Sequence, residues 1–228
     1  MRIDKLLSQL KYSTRRSAHL FLKTHVVLYE NMRILDVKTN VDPTKQITID
    51  KKPIYYKEHI HLMINKPKGY VCAKKDHIYP TVLQLLKEPY HRFDFHIAGR
   101  LDVDTTGLLV LSTDGQFIHE LTHPKKHVAK TYVATLDKKP SDLSKLLEGV
   151  NIKDDKNNLY LAKALYINIE NNEVTITIDE GKFHQVKRMF LALGYKVIQL
   201  KRIKIGNLLL NDLKPSTYQE IRKEDIYD

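Results

Sequence analysis

The sequence predicts an α+β protein in two parts, and three observations carry that prediction. Strand and helix patterns come in uneven runs, without the regular alternation that builds a parallel βαβ sheet. Positive charge is concentrated at one end. The 228 residues carry a formal net charge of +11, with a sequence pI near 9.5. Residues 1–57 hold 12 Lys and Arg against 5 Asp and Glu, leaving only +4 for the remaining three quarters. Third, a polar, Pro-containing stretch over residues 51–58 follows the basic end, as a linker would. The boundaries implied are a small domain at 1–57, a linker at 58–62 and a larger domain at 63–228. Such a charge excess favours a polyanionic partner; a basic surface kept for solubility is the alternative.

Residues 3–11 and 14–24 read as two short helices. Ile3, Leu6, Leu7 and Leu10 fall on one helical face, and Ser13 or Thr14 caps the second helix, with Arg15 and Arg16 in its first turn. Residues 26–29 and 32–37 read as a hairpin around Glu30-Asn31. Asp42-Pro43 marks a turn, and residues 46–50 a last short strand. The larger domain begins with a strand at 61–65, then a short helix at 81–86. Leu108 to Leu111 is a continuous apolar run, read as a buried strand and closed by Asp114-Gly115. Residues 117–122 are expected to be helical and to stop at Pro124; 130–136 alternates as a strand; 143–148 is helical. Residues 164–169 and 173–179 read as paired strands joined at Asn171-Asn172, and 185–193 as a helix stopped by Gly194.

Several function classes are excluded or disfavoured. Cys72 is the single cysteine, so no internal disulfide framework exists and a reducing cytoplasm is expected. Cys72 reads as a small core residue. No segment reaches the ~18 apolar residues a transmembrane helix needs, and the N-terminus lacks a signal-peptide core; no membrane association is expected. No phosphate-cradling Gly loop appears. His119-Glu120-Leu121-Thr122-His123 fits the H-E-x-x-H zinc pattern, with Glu120 as its base, but Pro124 cuts the helix short and only His127 or His184 stands near as a third ligand. No heptad seam is visible, so a monomer is expected.

The residues that concentrate chemistry are Gly99-Arg100-Leu101-Asp102-Val103-Asp104-Thr105-Thr106-Gly107, directly before the apolar strand. A carboxylate at the mouth of a rigid strand is well placed to act as a nucleophile; an Asp-rich turn before a core strand is the plainer reading. This run resembles the signature loop of the pseudouridine synthases, in particular the RsuA branch, which modifies ribosomal RNA. The resemblance implies that Asp102 is the catalytic residue and that Asp104 is not the nucleophile. It further implies a catalytic domain on a mixed, mainly antiparallel sheet.

Other segments carry the same resemblance. Asn65-Lys66-Pro67-Lys68-Gly69-Tyr70 is a tight turn that in the family frames the active-site cleft; its lysines suit a phosphate backbone. In Lys130-Thr131-Tyr132 the family's tyrosine stacks on the target uracil, a role carried to Tyr132; alone it reads as a half-buried strand residue. Glu180-Gly181-Lys182-Phe183-His184-Gln185-Val186-Lys187-Arg188-Met189-Phe190 matches where the family places a basic residue in a salt bridge with the catalytic Asp. Position relative to Gly194 assigns this to Lys187, with Arg188 as second choice. The segments 69–72 and 80–83 also match the branch that acts on small-subunit 16S RNA, although large-subunit relatives share much of the pattern.

The basic end resembles the RNA-binding domain of the ribosomal protein S-four type, through Arg2-Ile3-Asp4-Lys5-Leu6, Thr14-Arg15-Arg16 and Val26-Val27-Leu28-Tyr29. It departs from that pattern at Thr24, and at Glu30-Asn31 where Asp-Gly or Asn-Gly is usual. The resemblance implies a ribosomal RNA partner, within an assembling small subunit, and no cofactor, because an isomerisation neither oxidises nor hydrolyses. Arg15, Arg16, Lys66, Lys68, Arg100 and Arg188 are the RNA-binding candidates. An RNA-binding assembly factor with a silent centre is the alternative from another class.

Overall fold

The computed structural model describes residues 1–227. It divides into two compact units: residues 1–59 with 87–94, and residues 60–86 with 95 onward. Segment 87–94, which the sequence places in the larger domain, thus packs with the smaller unit.

In the small unit α1 (Ile3–Gln9) and α2 (Ala18–Thr24) cover a four-stranded sheet of β1 (Val27–Tyr29), β2 (Met32–Arg33), β3 (Ile47–Ile49) and β4 (Lys52–Pro53), ordered β2-β1-β3-β4. Ile3, Leu6, Leu7, Leu10, Ala18, Leu22, Val27 and Ile47 form its core, each at most 3% exposed, as the helical spacing of the first four requires. Glu30 and Asn31 both take positive φ (47° and 68°) and close the β1–β2 hairpin, the tight two-residue turn that suits strand twist. Asp50 and Lys51 repeat that conformation before β4. Lys52 and Pro53, expected in a linker, are therefore strand residues. Helix α2 starts at Ala18, not at 14. Thr14 and Ser17 bind each other's backbone N–H reciprocally, which fixes residues 15–17 as a turn. Arg15 and Arg16 accordingly lie in the turn before the helix.

The larger unit is built on a nine-stranded, mainly antiparallel sheet. Its strands are β5 (His61–Lys66), β6 (His96–Ala98), β7 (Thr106–Ser112), β8 (Lys130–Leu136), β11 (Tyr166–Glu170), β12 (Glu173–Ile178), β13 (Val197–Ile205), β14 (Leu208–Leu209) and β15 (Tyr218–Glu220). A separate hairpin pairs β9 (Val150–Lys153) with β10 (Leu159–Ala162). The main order is β11-β12-β8-β13-β7-β5-β15, and β13 beside β7 is parallel. Leu108, Leu109, Val110 and Leu111 are all 0% exposed, so both faces of β7 are covered and its run is continuous rather than alternating. Helix α3 (Gly115–Thr122) is capped by Asp114, whose side chain accepts from the Gln116 and Phe117 N–H groups; it packs Phe117, Ile118 and Leu121 onto this sheet. Helices α4 (Lys145–Glu148), α5 (Gln185–Ala192) and α6 (Glu224–Tyr227) complete the unit.

Gly107 sets the distance between the two central strands. It sits at φ +104°, and a Cβ there would lie 2.2 Å from the Arg202 carbonyl oxygen. Only glycine lets β13 approach this closely at the mouth of the Asp102 loop. No helix among the described residues is long and apolar enough to cross a membrane.

Candidate active site

Asp102 sits on the loop between β6 and β7, and this loop is held at three points. The Leu101 N–H reaches Cys72 Sγ at 3.3 Å, the Gly69 N–H donates to Val103 O at 2.7 Å, and Lys66 Nζ donates to Thr105 O at 2.7 Å. The turn over residues 66–69 therefore props the loop. This corrects the reading of Lys66 as a phosphate contact. Its side chain is 0% exposed, its ammonium is spent on Thr105 O and Pro67 O, and burial lowers its pKa.

Helix α5 supplies the partners of the carboxylate. Lys187 Nζ lies 3.0 Å from Asp102 Oδ2 and 2.6 Å from Asp104 Oδ1. Burial alone would weaken the Lys187 ammonium, but its bonds to Asp104 and Asp102 outweigh burial and raise its pKa. For Asp104, burial pushes the carboxyl up, and the Lys187 bond and charge overcome this to hold it below its usual range. His184 Nε2 lies 3.2 Å from Asp102 Oδ1. Its backbone is left-handed (φ 50°), and its ring stacks on Phe183 at 3.8 Å. Both oxygens of Asp102 are thus held, one by each residue.

One cleft is lined by Arg100, Asp102, Lys130, Tyr132, His184, Lys187 and Arg202, among others. Tyr132, on β8, is 7% exposed, and Arg202 Nη1 reaches its hydroxyl at 3.4 Å. Arg202, opposite Tyr132 in the β8–β13 register, is 2% exposed.

Of the remaining candidates, Arg15, Arg16 and Lys68 are exposed, as is Arg100 at the cleft. Arg188 is half-buried; it donates to Lys153 O and lies over the Phe183 ring at 4.8 Å. It thus braces the β9–β10 hairpin against α5. The zinc reading finds no support in geometry. His123 lies past the end of α3, its Nδ1 accepts the Lys125 N–H, and no group of three or more His, Cys, Asp or Glu among the described residues is placed to hold a metal ion.

His184, which the sequence offers only as a third zinc ligand, and Arg202 are the two residues whose places beside Asp102 and Tyr132 the sequence does not reveal. His184 stands three residues before Lys187, the separation that puts two residues on one side of a helix start. Arg202 lies in a strand whose basic residues and two register shifts hide its alternation.

Residues 60–192 match the family described as RNA pseudouridylate synthase, and the chain belongs to that family. It is 40% identical over 236 aligned residues to an uncharacterized RNA pseudouridine synthase, YtzG, of Bacillus subtilis, covering 100% of this chain and 97% of that one. It is 36% identical to the ribosomal small subunit pseudouridine synthase A of Escherichia coli K12, covering 99% and 98% respectively. A crystal structure of a pseudouridylate synthase superposes with a TM-score of 0.67 at 34% identity, covering 99% of this chain and 98% of that one.

Proposed function

We infer that this protein isomerises uridine to pseudouridine in ribosomal RNA, with Asp102 as the reacting carboxylate and small-subunit RNA as the substrate. One observation carries the assignment of the site: Asp102 is gripped by Lys187 and His184 in a cleft that also holds Tyr132. The relatives named for the small subunit, matched along the whole chain, support the substrate.

The reaction breaks the C1′–N1 bond of uridine, turns the ring, and joins C5 to C1′. Asp102 either attacks the ribose or assists loss of the C2′ proton. Lys187 and His184 fix both its oxygens, so little reorganisation is needed when it reacts. Tyr132 holds the base by its face and leaves the ring edge free to turn. The target nucleotide leaves its stack to reach the cleft, with Arg100 at the rim to take its place or hold a phosphate. The small unit acts as an RNA-binding domain of the S-four type, with Arg15 and Arg16 on its surface. Lys68 adds a positioning contact without reading sequence. The substrate is an assembling small subunit, bound by a monomeric enzyme in the cytoplasm.

Tritium release from C5-labelled uridine tests this, in a small-subunit RNA–protein intermediate and in large-subunit RNA. Release from the small-subunit substrate is expected. Release from large-subunit RNA alone would move the substrate, and RNA binding without release from either would make the chain a binding factor.

A further inference from the structure

The cleft wall carries five Lys and Arg side chains against three carboxylates, with Asp104 beside them. Asp102 and Asp104 are held by Lys187, Asp102 also by His184, Glu180 by Lys182 and Asp179 by His127. Arg202, 2% exposed, has only neutral partners: Nε donates to Leu108 O at 2.8 Å and Nη1 to the Tyr132 hydroxyl. Its Nη2 is buried with no hydrogen-bond partner. Lys130, two residues before Tyr132 on the same face of β8, donates to Val128 O at 2.6 Å and forms no ion pair with a carboxylate among the described residues. Burial, then repulsion from Arg202, lowers its pKa to about 8 against the weaker pull of Asp179. A buried guanidinium with an unfilled donor and only neutral partners costs stability, so Arg202 Nη2 on the cleft wall implies an anion that comes and goes.

Tyr132 identifies that anion. The guanidinium that holds its hydroxyl lies 5.9 Å from its ring centre, beside the face assigned to the uracil. Resting on the function inferred above, we propose that Arg202 Nη2 is reserved for a carbonyl oxygen of the uracil ring, and that Arg202 and Lys130 stabilise the ring as an anion while it is detached from the ribose. When C1′–N1 breaks, the bonding pair passes to N1 and spreads over O2 and O4. The electron-poor C1′ is met by the Asp102 carboxylate, or its charge is quenched by loss of the C2′ proton to Asp102. The turned ring then bonds through C5 as the Asp102–C1′ bond breaks or as Asp102 returns the C2′ proton; C5 loses its proton, and N1 takes one up. The product is an isomer of the substrate. Arginine and lysine are donors only, so they match the ring's two carbonyls and its negative charge together.

The probe is 5-nitrouracil, a base-sized ring whose nitro group brings its own titration into the mildly acidic range, with a change in absorbance. Bound to wild-type protein, its pKa should fall by about one unit; in Arg202→Gln and in Lys130→Gln this fall should shrink. An unshifted or raised pKa in the wild type, or the same fall in both variants, would overturn the proposal. In single-turnover tritium release, Arg202→Gln should be slowed roughly 100-fold with RNA affinity within about twofold of wild type, and Arg202→Lys should recover part of the rate. Equal losses of rate and affinity would mark a phosphate contact and overturn it. A wild-type protein that shifts the probe yet releases no tritium would refute the isomerase reading and leave the anion-binding cleft standing.

Discussion

Lys187 Nζ bridges two carboxylates, 3.0 Å from Asp102 Oδ2 and 2.6 Å from Asp104 Oδ1. One ammonium thus orients the carboxylate proposed to react and ties it to the second Asp of the same loop. Lys187→Met should slow isomerisation about 100-fold, by freeing Asp102 and removing a charge-assisted hydrogen bond. Stability should change little, because Asp104 is 54% exposed and such pairs contribute under about 1 kcal/mol. The sign with pH follows from both shifts. The raised Lys187 pKa keeps its contribution below 10.5 and loses it as pH rises through the raised value. The lowered Asp104 pKa keeps its contribution above 3.8 and loses it as pH falls through the lowered value. The melting difference between wild type and Lys187→Met should therefore be flat from about pH 5 to 9 and shrink on acidification.

Lys130 has the opposite sense. Its folded pKa of about 8 lies below the ordinary 10.5. Between these values the unfolded chain holds a proton that the folded one lacks, so this group makes stability rise with pH. Lys130→Met should melt higher than wild type at pH 7, and the gap should close as pH is raised past 8 toward 10.5. Thermal melts at about pH 7 and about pH 9.5 decide it. Wild-type turnover should decline over the same rise, as Lys130 loses its charge.

Gly107→Ala should destabilise by about 3 kcal/mol or more, because its Cβ would meet the Arg202 carbonyl at 2.2 Å and its φ is +104°. Denaturant unfolding measures this. A change under about 1 kcal/mol would mean that the β7–β13 approach is looser than described.

RNA affinity should separate the surface cations from the buried one. The double variant Arg15→Ala, Arg16→Ala should flatten the slope of log affinity against log salt by about 1.5, at ~0.7–0.9 for each phosphate no longer neutralised. Lys66→Met should leave that slope unchanged, since its ammonium is turned inward to Thr105 O, and should instead lower turnover by loosening the Asp102 loop.

The sequence is legible in those parts whose physics is local. The fully buried strand β7 announces itself as an unbroken apolar run. Asp102 and Lys187 are legible through the motifs around them, although only the fold brings residues 102 and 187 together. Strand β13 is not legible. Its inward position 202 is an arginine, and register shifts break its period. The β9–β10 hairpin escapes notice because it pairs only with itself and leaves Leu159 and Leu161 exposed. The fate of Lys66 is hidden for a related reason. A lysine beside a Pro-Gly turn reads as solvated, and only the tertiary position of Thr105 O turns it inward.

The most direct test is single-turnover tritium release from C5-labelled uridine in small-subunit RNA, comparing Asp102→Asn with Asp104→Asn. Asp102→Asn should lose at least about 10⁴-fold in rate while binding RNA normally, and Asp104→Asn should lose less than about tenfold, keeping Lys187 bonded to Asp102. Release by Asp102→Asn near the wild-type rate would contradict the assignment of Asp102 as the reacting carboxylate.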